Sequence, residues 1–98
     1  MTRAIIVTNS ATATTAAKNQ LTAYLEGRGW SVWHWFEDVW LLDGLQDDFS
    51  MSDTRDQIKT MIPARHQFMI LSTEGLKQHA GLVPRDSLPW LKEHWYEK

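Results

Sequence analysis

The chain contains the stretch Trp30-Ser31-Val32-Trp33-His34-Trp35-Phe36-Glu37-Asp38-Val39-Trp40-Leu41-Leu42, and four of its six tryptophans lie there. Apolar residues alternate in it with a period of two. This pattern predicts two strands, at residues 30–36 and 39–42, joined by a tight connection at residues 37–38. One face of the first strand would contain Trp30, Val32, His34 and Phe36, and the opposite face would contain Trp33 and Trp35. Both faces are therefore expected to be apolar.

A second apolar face on this hairpin needs a partner, because a small domain covers only one face of a sheet with its own helices. A second subunit, a ligand and a nucleic acid are the candidates. Sheets that stack RNA bases combine aromatic residues with Lys or Arg, and residues 30–42 contain neither basic residue. We therefore expect Trp33, Trp35 and Trp40 to form a sheet face that contacts a second subunit.

Length and composition limit the classes of protein that need to be considered. Ninety-eight residues predict one domain, covering residues 1–98. The net charge of −2 argues against strong nonspecific binding to nucleic acid. The chain has no cysteine, which excludes disulfides and cysteine zinc sites. It has no apolar run of membrane-spanning length and no secretory pattern near residues 4–7, so we expect a cytoplasmic protein without a membrane partner.

Elements on either side of the hairpin complete an α+β pattern. Strands are predicted at residues 4–8 and 67–72, and helices from residue 12 or 13 to 26 and from about residue 52 to Pro63. The first helix would bury Ala17, Leu21, Tyr24 and Leu25, and the second would bury Thr54, Ile58, Met61 and Ile62. From about residue 73 a C-terminal appendage follows, with a short edge strand at residues 82–83 and a last helix from about residue 86.

The order β-α-β-β-α-β is typical of ferredoxin-like folds. We expect an antiparallel sheet in the strand order 4-1-3-2, with both main helices on one face. The other face would be open and largely apolar. Because such a face is unusual on a soluble monomer, an identical subunit is its simplest cover.

Polar residues suggest three further candidate sites. Arg55 and Lys59 are one helical turn apart and could contact a phosphate, or they could pair with Asp56 or solvent. The acidic pairs at 47–48 and 53/56 could hold Mg²⁺, although a solvated loop and a charged helix start explain them more simply. Hydroxyl residues at 8–15 could cap a helix or hold a phosphate. The four histidines show no metal-binding spacing, and we expect His34 to be hydrogen-bonded and partly buried.

Several segments in this order resemble the small SinR-like proteins, which are similar to the ferredoxin-like, endoribonuclease-like family of CRISPR-associated adaptation proteins. The segments are the first strand, Trp33-His34-Trp35, Asp38-Val39-Trp40-Leu41-Leu42, Arg55-Asp56-Gln57-Ile58-Lys59, Gln67-Phe68-Met69-Ile70-Leu71 and Trp90-Leu91-Lys92-Glu93. Together they span nearly the whole chain. The resemblance implies a homodimer that packs through its sheets.

The same resemblance points to a site at the end of the first strand. In the CRISPR-associated relatives an aspartate there is linked to Mg²⁺-dependent nuclease activity, and the matching position here is Asn9, followed by Ser10. Thr8 stands where a tyrosine is common. A neutral amide cannot replace a carboxylate as a strong Mg²⁺ ligand, so this departure argues against phosphodiester cleavage.

We therefore expect a homodimeric, non-catalytic interaction or scaffold module, with nucleic acid as a weakly supported second partner. One alternative is a Mg²⁺-dependent endonuclease of DNA or RNA that acts from the dimer cleft. Another alternative is a small-molecule-binding domain that uses the aromatic face. No cofactor is expected, except Mg²⁺ if the chain is a nuclease.

Overall fold

The computed structural model describes residues 3–9, 12, 14–46, 49–61, 67–72 and 84–95. Four strands and three α-helices occur in this part of the chain. They are β1 (Arg3–Thr8), α1 (Thr15–Gly27), β2 (Ser31–Phe36), β3 (Val39–Asp43), α2 (Met51–Met61), β4 (Phe68–Ser72) and α3 (Leu88–His94), with a 3-10 turn at Arg85–Ser87 before α3. The predicted edge strand at residues 82–83 and the predicted helix end at Pro63 lie outside the described residues.

The strands form one antiparallel sheet in the order β2-β3-β1-β4. The predicted α+β class with an antiparallel sheet is therefore confirmed. β1 lies between β3 and β4, and its residues alternate between buried and half-buried positions. This alternation follows from the pleat, which points successive side chains to opposite faces of a sheet.

The inner face of the sheet, formed by Ala4, Ile6, Trp40 and Leu42, packs against α1 and α2. Ala17, Leu21 and Leu25 of α1 and Ile58 of α2 are buried in the same cluster, and Tyr24 and Met61 are partly buried against it. This confirms the apolar side predicted for α1 and, for the residues that the structure describes, that of α2; the predicted Ile62 lies outside them. Burial of each leucine contributes about 1.5–3 kcal/mol. The inner face is thus covered by the chain itself.

Side-chain caps set the starts of both main helices. The hydroxyl of Thr14 accepts a hydrogen bond from the Ala17 backbone N–H over 3.1 Å, so α1 begins at Thr15, after the predicted start. Ser50 accepts from the Asp53 N–H in the same way over 3.2 Å, so α2 begins at Met51. Each cap satisfies one of the backbone donors that have no partner within a helix.

The outer face of the sheet, opposite α1 and α2, is only partly open, and the expectation of a wholly open face is wrong. Register places Arg3, Asp43 and Ser31 side by side on this face. Asp43 and Ser31 contact His94 of α3, and Arg3 donates to the backbone oxygen of Trp95. The C-terminal helix therefore covers one end of the outer face.

Two residues of the tryptophan hairpin lie on faces other than those predicted. Phe36 pairs with Val39 after a register shift that begins at Trp33, so the extra residue of a bulge turns Phe36 to the outer face. The Trp33 and Phe36 rings meet edge to face, with centroids 5.1 Å apart. Trp40 is fully buried on the inner face, because β3 turns Trp40 and Leu42 toward α1.

The described helices include none that is both long enough and apolar enough to cross a lipid bilayer.

Candidate functional site

An uninterrupted apolar surface occupies the part of the outer face that α3 leaves uncovered. We call it the outer strip. It consists of Ile5, Val7, Phe36, Val39, Leu41, Met69 and Leu71. Met69 is 57% exposed, Phe36 42% and Leu71 41%, and the other four side chains are half-buried.

Strand register makes the outer strip continuous. Val7 lies between Val39 and Met69, and Ile5 lies between Leu41 and Leu71. Directly opposed side chains in an antiparallel pair are about 4.5–5.5 Å apart, so each set of three forms a row across β3, β1 and β4. Phe36 extends the first row onto β2. All seven residues are uncharged, and they form one surface rather than scattered apolar contacts.

At one end, the outer strip is bounded by polar contacts that attach α3. Asp43 accepts from His94 Nδ1 over 2.9 Å, and its other oxygen lies 3.5 Å from Arg3 Nε. Arg3 Nη1 donates to the Trp95 backbone oxygen over 3.0 Å, and the guanidinium lies 5.6 Å from the centre of the Trp95 ring. The side chains of Arg3, Asp43 and His94 are about one-fifth to one-third exposed. Solvent therefore weakens the contribution of these polar contacts to stability.

The three tryptophans assigned to a subunit contact have different surroundings. Trp33 lies on the outer face but is only 2% exposed, and Trp35 is 49% exposed. Trp40 is 0% exposed and donates its Nε1–H to Thr22 of α1 over 2.8 Å. Its assignment to the contacting face is therefore wrong, since α1 already covers it.

Trp33 has a buried donor without an acceptor. Its Nε1 has no hydrogen-bond partner among the residues that the structure describes, and a buried donor left in this way costs about 1–3 kcal/mol. The ring lies between the Ser31 position and Phe36 on the outer face. Trp33 therefore connects the outer strip with the region under α3.

The strand-one site implied by the resemblance contains amide and ion-pair contacts. Asn9 donates from Nδ2 to Gln67 Oε1 over 2.8 Å. Asp38, in the turn between β2 and β3, accepts from the Thr8 hydroxyl over 2.7 Å and lies 3.0 Å from Lys18 Nζ. The sequence pattern did not indicate that Asp38 contacts Thr8, because these two residues are thirty positions apart in the chain. Ser10 lies outside the described residues.

Within the described ranges, no group of three or more histidine or carboxylate side chains is close enough to hold a metal ion. The predicted acidic pair at 47–48 is outside those ranges. Asp56 of the second pair lies 3.1 Å from Arg55 Nε, and both side chains are more than half exposed. Lys59 is exposed on the same helix. A phosphate contact by Arg55 and Lys59 thus stays a prediction.

A small cavity of about 210 Å³ opens beside the start of α2. Its lining includes Arg28, Trp30, Phe49 and Asp53. The Arg28 guanidinium lies 5.3 Å from the Trp30 ring centre, and Phe49 meets the same ring edge to face at 5.3 Å. The sequence did not indicate this cavity, because its residues come from the turn between α1 and β2, the loop before α2 and the first turn of α2.

A scan against models of protein families, a search of curated proteins and a search of solved structures each gave no match. Function is therefore inferred from the surfaces of the chain itself, and in particular from the outer strip.

Proposed function

We propose that this chain is a homodimeric interaction module whose outer strip packs against the outer strip of a second copy. The observation that supports this most strongly is the unbroken exposure of apolar side chains across β3, β1 and β4. Large exposed apolar patches on soluble proteins normally mark contact sites. A second copy is the occupant that fits, because an uncharged, apolar surface is complementary to itself.

The area of the strip is consistent with this occupant. Three side chains that are about half exposed and four that are half-buried offer on the order of 400 Å² of accessible surface. Two copies would then bury on the order of 800 Å², and the exposed Trp35 and the strip's rim would add to this. Specific interfaces usually exceed about 1,000 Å² in total. We therefore expect a weak, concentration-dependent dimer rather than an obligate one.

Symmetry favours a closed dimer over an open-ended polymer. A two-fold contact uses the same surface on both subunits, so it is satisfied once two copies meet. Face-to-face sheets pack about 10 Å apart and interleave their side chains. Met69 and Phe36, which project at opposite sides of the strip, would then each contact the partner's strip.

The family relation forms part of the proposal. The element order β-α-β-β-α-β and the central position of β1 support a ferredoxin-like fold. The segments that resemble SinR-like proteins support a relation to the CRISPR-associated adaptation family, whose subunits pair through their sheets. A cytoplasmic location also stays a prediction from the sequence.

Nuclease activity is the alternative that we do not favour. Asn9 binds the Gln67 side chain, and the carboxylate of Asp38, which accepts from the neighbouring Thr8 hydroxyl, is 3.0 Å from the Lys18 ammonium. A cation beside that carboxylate opposes Mg²⁺ binding by charge repulsion. Incubation of the protein with DNA and RNA in the presence of Mg²⁺ or Mn²⁺ checks this, and cleavage that Asn9→Ala abolishes would restore the nuclease alternative.

The dimer is tested by placing one charge on the strip. Leu71→Glu should raise the dimer dissociation constant about 100-fold, because pairing would bury an unpaired carboxylate. Gln57→Glu adds the same charge to an exposed position on α2 and should leave pairing unchanged. Sedimentation velocity of both variants at matched concentrations, with circular dichroism to verify folding, provides the measurement. Equal association of the two variants would contradict the proposal.

A further inference from the structure

Three residues from distant parts of the chain meet at the end of the outer face covered by α3. Ser31 and Asp43 are direct cross-strand neighbours on β2 and β3. His94 of α3 lies between them, with Nδ1 2.9 Å from Asp43 Oδ2 and Nε2 3.4 Å from Ser31 Oγ. The imidazole therefore contacts the carboxylate through one nitrogen and the hydroxyl through the other.

This order of contacts is that of a nucleophile, a general base and an orienting carboxylate. Asp43 favours the tautomer with the proton on Nδ1, which leaves the Nε2 lone pair directed at the Ser31 hydroxyl. The hydroxyl contact is longer than an ideal hydrogen bond, as is common when no substrate is bound. Such an arrangement is recognised by geometry and not by position in the sequence.

Further side chains surround the imidazole of His94. Asp43 contacts Nδ1, and Glu93 Oε2 is 3.9 Å from Nε2. The Arg3 guanidinium lies beside the other oxygen of Asp43. The Trp90 ring is 4.8 Å from the imidazole and covers one side of it.

All three side chains are partly exposed to solvent. The His94 side chain is 26% exposed and that of Asp43 is 20% exposed, and Ser31 is half-buried. A purely structural role for His94 in attaching α3 would require only its pair with Asp43. The contact between Nε2 and a partly exposed serine is the additional feature that points to chemistry.

We propose that Ser31, His94 and Asp43 form a nucleophilic site that hydrolyses small activated carboxylic esters. The Ser31 Oγ forms a bond to the ester carbonyl carbon while its proton passes to His94 Nε2. The bond to the leaving oxygen then breaks, and that oxygen takes the proton from Nε2. Water attacks the acyl-Ser31 ester, its proton passes through Nε2 to the departing Ser31 Oγ, and the carboxylic acid is released.

Leaving-group chemistry sets the substrate class. An aryl ester with a good leaving group needs less stabilisation of the tetrahedral oxyanion than an amide or an alkyl ester. The triad beneath α3 can therefore act on activated aryl esters of short acids. This activity would add a catalytic role to the interaction module, and it does not depend on the outer strip.

A covalent probe tests the proposal directly. The intact protein is incubated with a fluorophosphonate probe, and the modified peptide is located by mass spectrometry. We expect the adduct on Ser31, with labelling unchanged in Ser52→Ala, whose serine is exposed on α2. No adduct on the unmodified protein, or an adduct on another residue alone, would overturn the proposal without the need for any Ser31 variant.

Hydrolysis of p-nitrophenyl acetate provides the second readout. His94→Gln retains an amide that can bond to Asp43, so α3 should stay attached, but the general base is lost. We expect a fall of about 100-fold in the acylation rate, the scale of general-base catalysis. An unchanged rate in His94→Gln, with an unchanged circular dichroism spectrum, would show that the imidazole serves only to attach α3.

Discussion

Trp40 joins three elements of the fold. From β3 it donates to Thr22 of α1, and its ring stacks on His34 of β2 with centroids 4.1 Å apart. The His34 ring in turn contacts the Val39 carbonyl oxygen through Nδ1 over 2.9 Å. The Trp40 indole thus links α1 to the hairpin. This link requires both a large ring, which stacks on His34, and an N–H donor, which binds Thr22.

Replacement of Trp40 by phenylalanine tests this role. The smaller ring loses the hydrogen bond to Thr22 and leaves a cavity, so we expect the free energy of unfolding to fall by about 1–3 kcal/mol. Trp35→Phe changes the same residue type at a half-exposed position and should cost less than about 0.5 kcal/mol. Urea denaturation of both variants measures the difference, and equal losses would contradict the burial assigned to Trp40.

Thr14 offers a second test at the scale of one residue. Its hydroxyl caps α1 by accepting from the Ala17 N–H, so Thr14→Ala should lower the free energy of unfolding by about 1 kcal/mol. Thr15→Ala, one position inside the helix, should change stability by only a few tenths of a kcal/mol. Thermal unfolding followed by circular dichroism distinguishes the two variants. A larger loss of stability in Thr15→Ala would show that Thr14 is not the residue that caps α1.

Among the elements, α3 differs most from what the sequence indicated. The sequence predicts its start and its apolar side, since Trp90, Leu91, His94 and Trp95 recur at helical spacing. Periodicity does not indicate which surface that side contacts. The answer depends on Asp43, whose carboxylate faces outward at the end of β3 and pairs with His94. A contact across fifty-one positions is not visible in local sequence.

Arg3→Ala should loosen α3 without unfolding the sheet. The substitution removes the hydrogen bond to Trp95 and the pair with Asp43, and we expect faster amide hydrogen exchange over residues 88–94. The loss of global stability should be about 1 kcal/mol or less, because Arg3 is about one-third exposed. Arg55→Ala removes another exposed ion pair and should leave exchange in α3 unchanged. Unchanged exchange in Arg3→Ala would mean that other contacts attach the helix.

The hairpin illustrates a second limit of sequence patterns. Strict alternation places Trp33 and Phe36 on opposite faces, but the bulge between them brings both to the outer face. An added residue inverts every later position of a strand, and nothing in the residues 33–36 themselves marks where it occurs. The apolar alternation of β1 and the stripes of α1 and α2 were predictable, because each is fixed by burial within its own element.

For the whole molecule, the outer strip remains the feature that internal packing does not explain. The helices α1 and α2 cover one face, and α3 covers one end of the other. The uncovered part of the outer face is apolar across the strands β3, β1 and β4. Its location could be predicted from the sequence only in part. The sequence indicated an excess of apolar surface on the sheet, but the tryptophans that suggested it are mostly buried, and Met69, Leu71 and Phe36 are exposed instead.

Sedimentation equilibrium of the unmodified protein over a wide range of concentrations tests the pairing of outer strips most directly. We predict that the apparent mass rises with concentration from the 11.4 kDa of one chain to twice that value, and no further, because a two-fold contact closes on itself. A mass that stays at that of one chain throughout the range would contradict the account.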